Sequence, residues 1–293
     1  MKHTTNHILE FLEEWAPQST KLEYDNVGLL VGDSRQEITR ILVSLDVTSE
    51  VVEEAIASGA DLIIAHHPLI FRKLSRVTPS DITGSLIYKL IKNDINLVAA
   101  HTNLDAAYGG VSFAMAERLG LKHLRFLKEV PRAAAPAPRP VAAAGNSGSE
   151  NGGEHQQNDT AAGQPDAGFG VWGELPSTHD SEAFLALVRD KLESKGIRYC
   201  GSPKSVKRVA VCGGAGSFLM EEALRQHMDA FVTSDLKYHD FFTESPELLV
   251  VDAGHYESEV PMVETLNSRI RERYPEMDVI STSVNTNPVN YFF

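Results

Sequence analysis

The sequence predicts an α/β layer architecture in two folded parts, and three observations carry that prediction. Short apolar runs of strand length alternate with stretches of helical spacing. The alternation occurs on both sides of a segment, residues 131–166, built almost wholly from small, polar and Pro residues. A chain of 293 residues with 42% hydrophobic content also has enough apolar side chain for two modest cores.

Taken in order, residues 38–47 (ITRILVSLDV) read as a strand and residues 49–58 as a helix capped by Ser49. Residues 61–65 (DLIIA) form the next strand, 82–92 a helix, 96–100 (NLVAA) a short buried strand, and 111–119 a helix stopped by Gly120. Residues 131–166 are too poor in large apolar side chains to offset the entropy of ordering them, so they read as a flexible linker, with His155 solvated inside it. Beyond it, 169–175 reads as a strand, 181–194 as an amphipathic helix, and 206–212 as a strand entering Gly213-Gly-Ala-Gly216. Residues 217–227 are helical, 230–233 and 248–251 are strands, and a last long helix ends at Arg273. Pro261 must lie in its first turn, where a missing amide is harmless, which puts its start near Ser258.

Composition excludes several function classes. With 27 Lys plus Arg against 40 Asp plus Glu, the formal net charge of -13 repels phosphate backbones and anionic lipid, which disfavours nucleic acid as a partner. No apolar stretch reaches the roughly 20 residues of a membrane span. The polar start Met1-Lys-His-Thr-Thr-Asn-His lacks a signal-peptide core, so a cytoplasmic location is expected. Two cysteines, Cys200 and Cys212, cannot supply a four-thiolate zinc site or a disulfide framework. Any metal must be held by imidazole and carboxylate.

Ligand crevices in open α/β sheets lie beyond the carboxyl ends of strands, and three such ends carry metal-binding residue types. His66-His67-Pro68 follows DLIIA, His101-Thr-Asn-Leu-Asp105 follows NLVAA, and Asp252-Ala-Gly-His255-Tyr-Glu-Ser-Glu259 follows LLVV. Adjacent side chains of an extended chain diverge, and Pro68 holds His67 extended, so His66 and His67 suit two neighbouring ions better than one. Blander readings exist for each piece. His66-His67 could form a turn with one ring packed and one solvated, and Asp105 could cap the helix at Val111 or steady its loop. His255 and Glu259 have the i, i+4 spacing of one helix face, although the helix is expected to start after His255. His239 follows the strand at 230–233 and is a candidate general acid or base. His3, His7, His123, His179 and His227 lie near termini, turns or helix ends. The glycines at 213–216 could offer amides to a phosphate, but they lack the lysine of a P-loop and the full dinucleotide fingerprint.

Asp25-Asn-Val-Gly-Leu-Leu-Val-Gly32, Ala65-His-His-Pro68, His101-Thr-Asn-Leu-Asp-Ala-Ala107, Gly213-Gly-Ala-Gly216, Thr233-Ser-Asp-Leu-Lys-Tyr-His239, Gly254-His-Tyr-Glu-Ser-Glu259 and Asn285-Thr-Asn-Pro288 occur in that order. Together they resemble the Ngg-interacting-factor-three-like family of dinuclear-metal proteins, commonly labelled GTP cyclohydrolase 1 type 2 homologues. The resemblance implies that His66 and His67 each bind a different ion, Asp105 binds the first, His255 the second, and Glu259 bridges them. His101 matches a further histidine of the site, a ligand or an acid/base group. The resemblance also implies two α/β domains with mixed β-sheets, assembled as a ring-shaped homohexamer. The metal-binding domain would comprise residues 1–130 plus about 235–293, and the second domain residues 167–234. The insertion at 131–166 is too poor in apolar residues to be the extra folded domain that some relatives carry.

Two functions follow as expectations. The first is a metal-dependent hydrolase with two divalent ions per subunit, zinc, iron, manganese or cobalt, acting on a small molecule such as a nucleotide. GTP ring opening with formate release is the reaction that the family label implies, with phosphoester or amide hydrolysis beside it. The second is a non-catalytic metal-binding or regulatory scaffold.

Overall fold

Two runs of apolar strands, each too hydrophobic to face water on either side, set the architecture of the chain. The computed structural model describes residues 2–130, 167–243 and 245–292, so the expected linker at 131–166 and His155 lie outside the described residues.

The first sheet has the order β13-β4-β5-β6-β2. Its strands are β2 (Gly28–Val31), β4 (Arg40–Ser44), β5 (Leu62–Ala65), β6 (Asn96–Ala99) and β13 (Asp278–Ser281). β13, β4, β5 and β6 run parallel, and β2 is antiparallel to β6. Both faces are covered. Helices α1 (Thr5–Trp15) and α9 (Pro261–Arg273) bury Ile8, Leu12, Leu266 and Ile270 with Ile41, Val43 and Ile64. On the other face, α2 (Ser49–Ser58) and α3 (Ile82–Lys92) bury Val51, Val52, Leu86 and Leu90 with Leu42 and Ile63. Coverage on both faces explains why these strands read as continuous apolar runs rather than alternating ones. A two-residue ribbon, β1 (His3–Thr4) with β3 (Glu37–Ile38), ties down the start of the chain.

The second sheet has the order β7-β8-β10-β11-β12-β9. It contains β7 (Lys122–Glu129), β8 (Gly168–His179), β9 (Arg198–Cys200), β10 (Val206–Ala215), β11 (Ala230–Ser234) and β12 (Leu249–Asp252). Only β10, β11 and β12 are mutually parallel; β7, β8 and β9 join antiparallel. Both sheets are therefore mixed. Helices α5 (Val111–Arg118) and α6 (Ser181–Leu192) pack Phe113, Phe184 and Val188 on Val209, Val211 and Val232, while α7 (Met220–Arg225) and its preceding turn place Ala223 and Leu219 against Phe231 and Val250. Two short helices remain, α4 (Thr102–Asp105) and α8 (His255–Glu259), and both carry residues of the site.

The expected cuts at 130 and 235 do not follow the sheets. β7 precedes the insertion yet pairs with β8, and β12 follows residue 235 yet lies between β11 and β9. β7 carries no apolar pattern of its own, since Lys122, His123, Arg125, Lys128 and Glu129 surround its two buried residues, Phe126 and Leu127. The cap of α2 also differs from the reading. Thr48 has the extended backbone of an N-cap and its Oγ1 accepts from Val51 N at 3.3 Å, which makes Ser49 the first helical residue.

Candidate metal centre

Parallel strands of both sheets end at one place, and the polar residues that follow them meet there. β5 continues beyond Ala65 in the register of β4: His66 N donates to Ser44 O (3.2 Å) and His67 N to Leu45 O (2.9 Å). That pairing fixes the backbone of both histidines, whose rings lie 5.0 Å apart and tilted by 50°. β6 delivers His101, the N-cap of α4, and one turn of α4 brings up Asp105, whose N donates to His101 O. β12 delivers α8. Contrary to expectation, this helix starts at His255 itself, because Gly254 at φ 99° turns the chain sharply before it. His255 and Glu259 thus share one face across a turn of helix. The long helix α9 then starts at Pro261 rather than near Ser258, with the proline in its first turn as anticipated.

Each histidine has its Nδ1 occupied by an acceptor. His66 Nδ1 donates to Ala100 O (2.8 Å), His67 Nδ1 to Asp46 Oδ1 (2.7 Å), His101 Nδ1 to Asp25 Oδ1 (2.8 Å) and His255 Nδ1 to Asp235 Oδ2 (2.7 Å). A carbonyl or an ionised carboxylate only accepts, so the proton must sit on Nδ1. The lone pair of each neutral ring is then on Nε2, which is the arrangement that outer carboxylates impose on metal-binding imidazoles.

Those Nε2 atoms converge with two carboxylates. Three groups of donor atoms each lie within 4.8 Å of one another: His66, His67 and His101; His67, His255 and Glu259; and His66, Asp105 and Glu259. Glu259 belongs to two of them, with Oε2 at 3.0 Å from His67 Nε2 and 3.1 Å from His255 Nε2, and Oε1 at 3.8 Å from His66 Nε2. Asp105 Oδ1 is 3.6 Å from His66 Nε2. His66 Nε2, Asp105 Oδ1 and Glu259 Oε2 are buried, and outside the cluster itself none has a hydrogen-bond partner among the described residues. Lone pairs directed at one another in a dry pocket are costly, and cations would satisfy them. The imidazole and carboxylate donor set fits zinc, iron, manganese or cobalt.

The proton affinities reflect the same crowding. Burial lowers His67, but hydrogen bonds to Asp46 and Glu259 and the charges of both outweigh it and raise the imidazole to about 9. His255 is raised to about 10 against its burial by Asp235 and Glu259. His66, fully enclosed, is lowered by burial. Burial and the Glu259 charge push Asp105 well above the carboxylate range, whereas Glu259, despite its burial, is held well below it by the three imidazoles. Without a cation, protons hold the cluster together.

Gly214, within the Gly213-Gly-Ala-Gly216 segment, has a steric purpose here. β10 runs on to Ala215, and a Cβ on Gly214, at φ +62°, would overlap Glu259 Oε1. Gly214 N donates to Ser258 Oγ (3.0 Å), which fastens α8 to the sheet. His239 does not join the cluster. It lies exposed on the 3-10 turn Tyr238–Phe241, its ring against Tyr238 and Phe242. The residue after β11 that does reach the site is Asp235. Together with Asp46 and Asp25 it was missed by sequence reasoning, although Asp46 and Asp235 follow strand ends just as the histidines do.

The site opens on a cavity of about 640 Å³ whose wall includes His67 and His255. No helix among the described residues is long and apolar enough to cross a membrane.

Known proteins share both the sequence and this fold. A protein of Clostridium perfringens named GTP cyclohydrolase 1 type 2 homolog is 35% identical over 271 residues, covering 92% of this chain and 91% of its own. The crystal structure of a Staphylococcus aureus protein superposes with a TM-score of 0.84 at 31% identity, covering 99% of each chain. The crystal structure of a Bacillus cereus protein related to NIF3 gives 0.82 at 27% identity, also over 99% of each. The family model Duf34/NIF3 (NGG1p interacting factor 3) matches residues 3–288. This chain therefore belongs to the Duf34/NIF3 family.

Proposed function

We propose that this protein binds two divalent ions per chain and uses them as a cyclohydrolase-type hydrolase, opening a carbon–nitrogen bond of a ring compound held in the adjacent cavity. One observation carries the reading: two donor groups share Glu259, while three of their buried atoms have no hydrogen-bond partner outside the cluster among the described residues. His66 and Asp105 would hold the first ion, His67 and His255 the second, and Glu259 both; the position of His101 Nε2 near His66 and His67 supports a ligand role for it as well. Ions bound there supply Lewis acidity and hydroxide at neutral pH. Asp25, Asp46 and Asp235 hold the rings in the metal-binding tautomer, and the burial of His66 and Glu259 keeps bulk water from competing. The name shared by the relatives supports the ring-opening class of chemistry. Self-association as a homohexamer and a cytoplasmic location belong to the same proposal.

Metal analysis of protein purified under metal-replete conditions, combined with a hydrolysis screen, tests it. Two ions per chain and a turnover lost in Glu259→Gln and His67→Ala, each still folded, are expected. Fewer than two ions refutes the dinuclear centre. Two ions without turnover of any ring substrate leaves a metal-binding scaffold.

A further inference from the structure

The cavity beside His67 and His255 is acidic. Asp46, Asp235, Asp252 and Glu257 line it, and its one Lys or Arg side chain is Arg198. That guanidinium is already engaged: it ion-pairs with the Asp252 carboxylate, donates to Leu236 O at 3.0 Å and lies 5.3 Å above the Phe241 ring. Deeper in the site stand Asp105 and Glu259, with Asp25 behind His101. Two divalent ions would bring four positive charges, and Arg198 a fifth, against seven carboxylates. The loaded site therefore stays net negative. The remaining wall is aromatic and aliphatic, with Tyr256, Tyr291, Ile197 and Val289 around a space sized for a small ring compound.

The geometry points to an uncharged nitrogen heterocycle, a nucleobase or nucleoside without its phosphates, as the molecule this cavity takes. Carboxylates on the wall accept from ring N–H and amino groups, and the tyrosines offer faces on which a planar ring can rest. A triphosphate carries about four negative charges and would meet four wall carboxylates with one guanidinium, itself neutralised by Asp252. This assignment rests on the proposed function for the placement of the ions and adds the substrate class.

Isothermal titration of the metal-loaded full chain with guanosine, adenosine, cytidine and uridine, and with their 5′-triphosphates, tests the assignment without using turnover. At least one nucleoside is expected to bind about tenfold or more tightly than its own triphosphate at low salt, with the gap narrowing as salt screens the wall. In Glu257→Gln the gap should shrink severalfold, because one repelling charge is gone. Triphosphates that bind more tightly than nucleosides, or a protein that binds neither class, overturn the assignment. Nucleoside binding without turnover would strike at the hydrolase reading alone, whereas turnover with a preference for triphosphates would strike at this inference alone.

Discussion

Replacing Asp46 by alanine should loosen one ion and leave the other in place. Asp46 Oδ1 accepts from His67 Nδ1 at 2.7 Å, and Oδ2 accepts from Thr286 Oγ1 at 2.5 Å, so the carboxylate is held from behind while it orients the ring. His67 lies with His255 and Glu259 in one donor group, whereas Asp105 lies with His66 and Glu259 in another. Loss of a carboxylate behind a ligating imidazole typically weakens metal binding 10–100-fold, about 1.4–2.7 kcal/mol. The Asp46 side chain is 31% exposed, against 53% for Asp235, which makes Asp46 the less screened of the two. Asp46→Ala should therefore fall in the upper part of that range and Asp235→Ala in the lower, and both should act on the same ion. Asp46→Asn keeps an acceptor for Nδ1 and should lie between Asp46→Ala and the parent. Dialysis against graded chelator, followed by elemental analysis, reads the outcome: Asp46→Ala drops to one ion per chain at a chelator level where the parent keeps two. Equal loss of both ions, or no loss, would refute the division of the cluster into two sub-sites.

Four further outcomes are expected. Because His67 and His255 are raised to about 9 and 10, both hold protons at neutral pH that metal must displace. Affinity should rise with pH up to about 10, with proton release visible by calorimetry in buffers of different ionisation enthalpy; a pH-independent affinity would contradict this. The same raised values stabilise the metal-free fold below about pH 6.5, a contribution lost as pH climbs through 9 to 10, so metal-free protein should melt at lower temperature in that window. Gly214→Ala should cost roughly 1–3 kcal/mol through its φ of +62° and displace Glu259, so it should lose metal even where denaturation shows it still folded. Thr48→Ala should cost about 1 kcal/mol in urea unfolding and Ser49→Ala far less, since Thr48 accepts the hydrogen bond from Val51 N.

The central parallel strands of the first sheet, β4, β5 and β6, were legible because burial on both faces writes them as unbroken apolar runs, and the helix at Ile82–Lys92 emerges with its expected bounds because Asp81 caps it through Gly84 N. Edge strands were not legible. β2, β9 and β13 are four residues or shorter, and their pairing comes from partners far along the chain rather than from a local pattern. The candidate ligands His66, His67, Asp105, His255 and Glu259 stood out because strand ends seldom need such residues for packing. The outer carboxylates did not, since a lone aspartate after a strand is also what any turn would carry. Only the pairing of Asp25 with His101, across 76 positions, gives that residue its meaning.

Side chains from both sheets must meet for the proposed metal centre to form, and the topology of the chain brings them together. His66, His67 and His101 ride on β5 and β6, while His255 and Glu259 arrive from β12 of the other sheet on a helix held by Gly214 and Ser258. From there the chain returns through α9 and β13 to the first sheet, and Thr286 closes the loop onto Asp46. Backbone ladders join β4 to β5 and β11 to β12, largely between buried apolar residues. These ladders place the polar side chains of the site side by side, where protons or ions would neutralise them. That crowding accounts for the elevated His67, His255 and Asp105 and the depressed Glu259, because the fold brings four rings and two carboxylates together in a buried place.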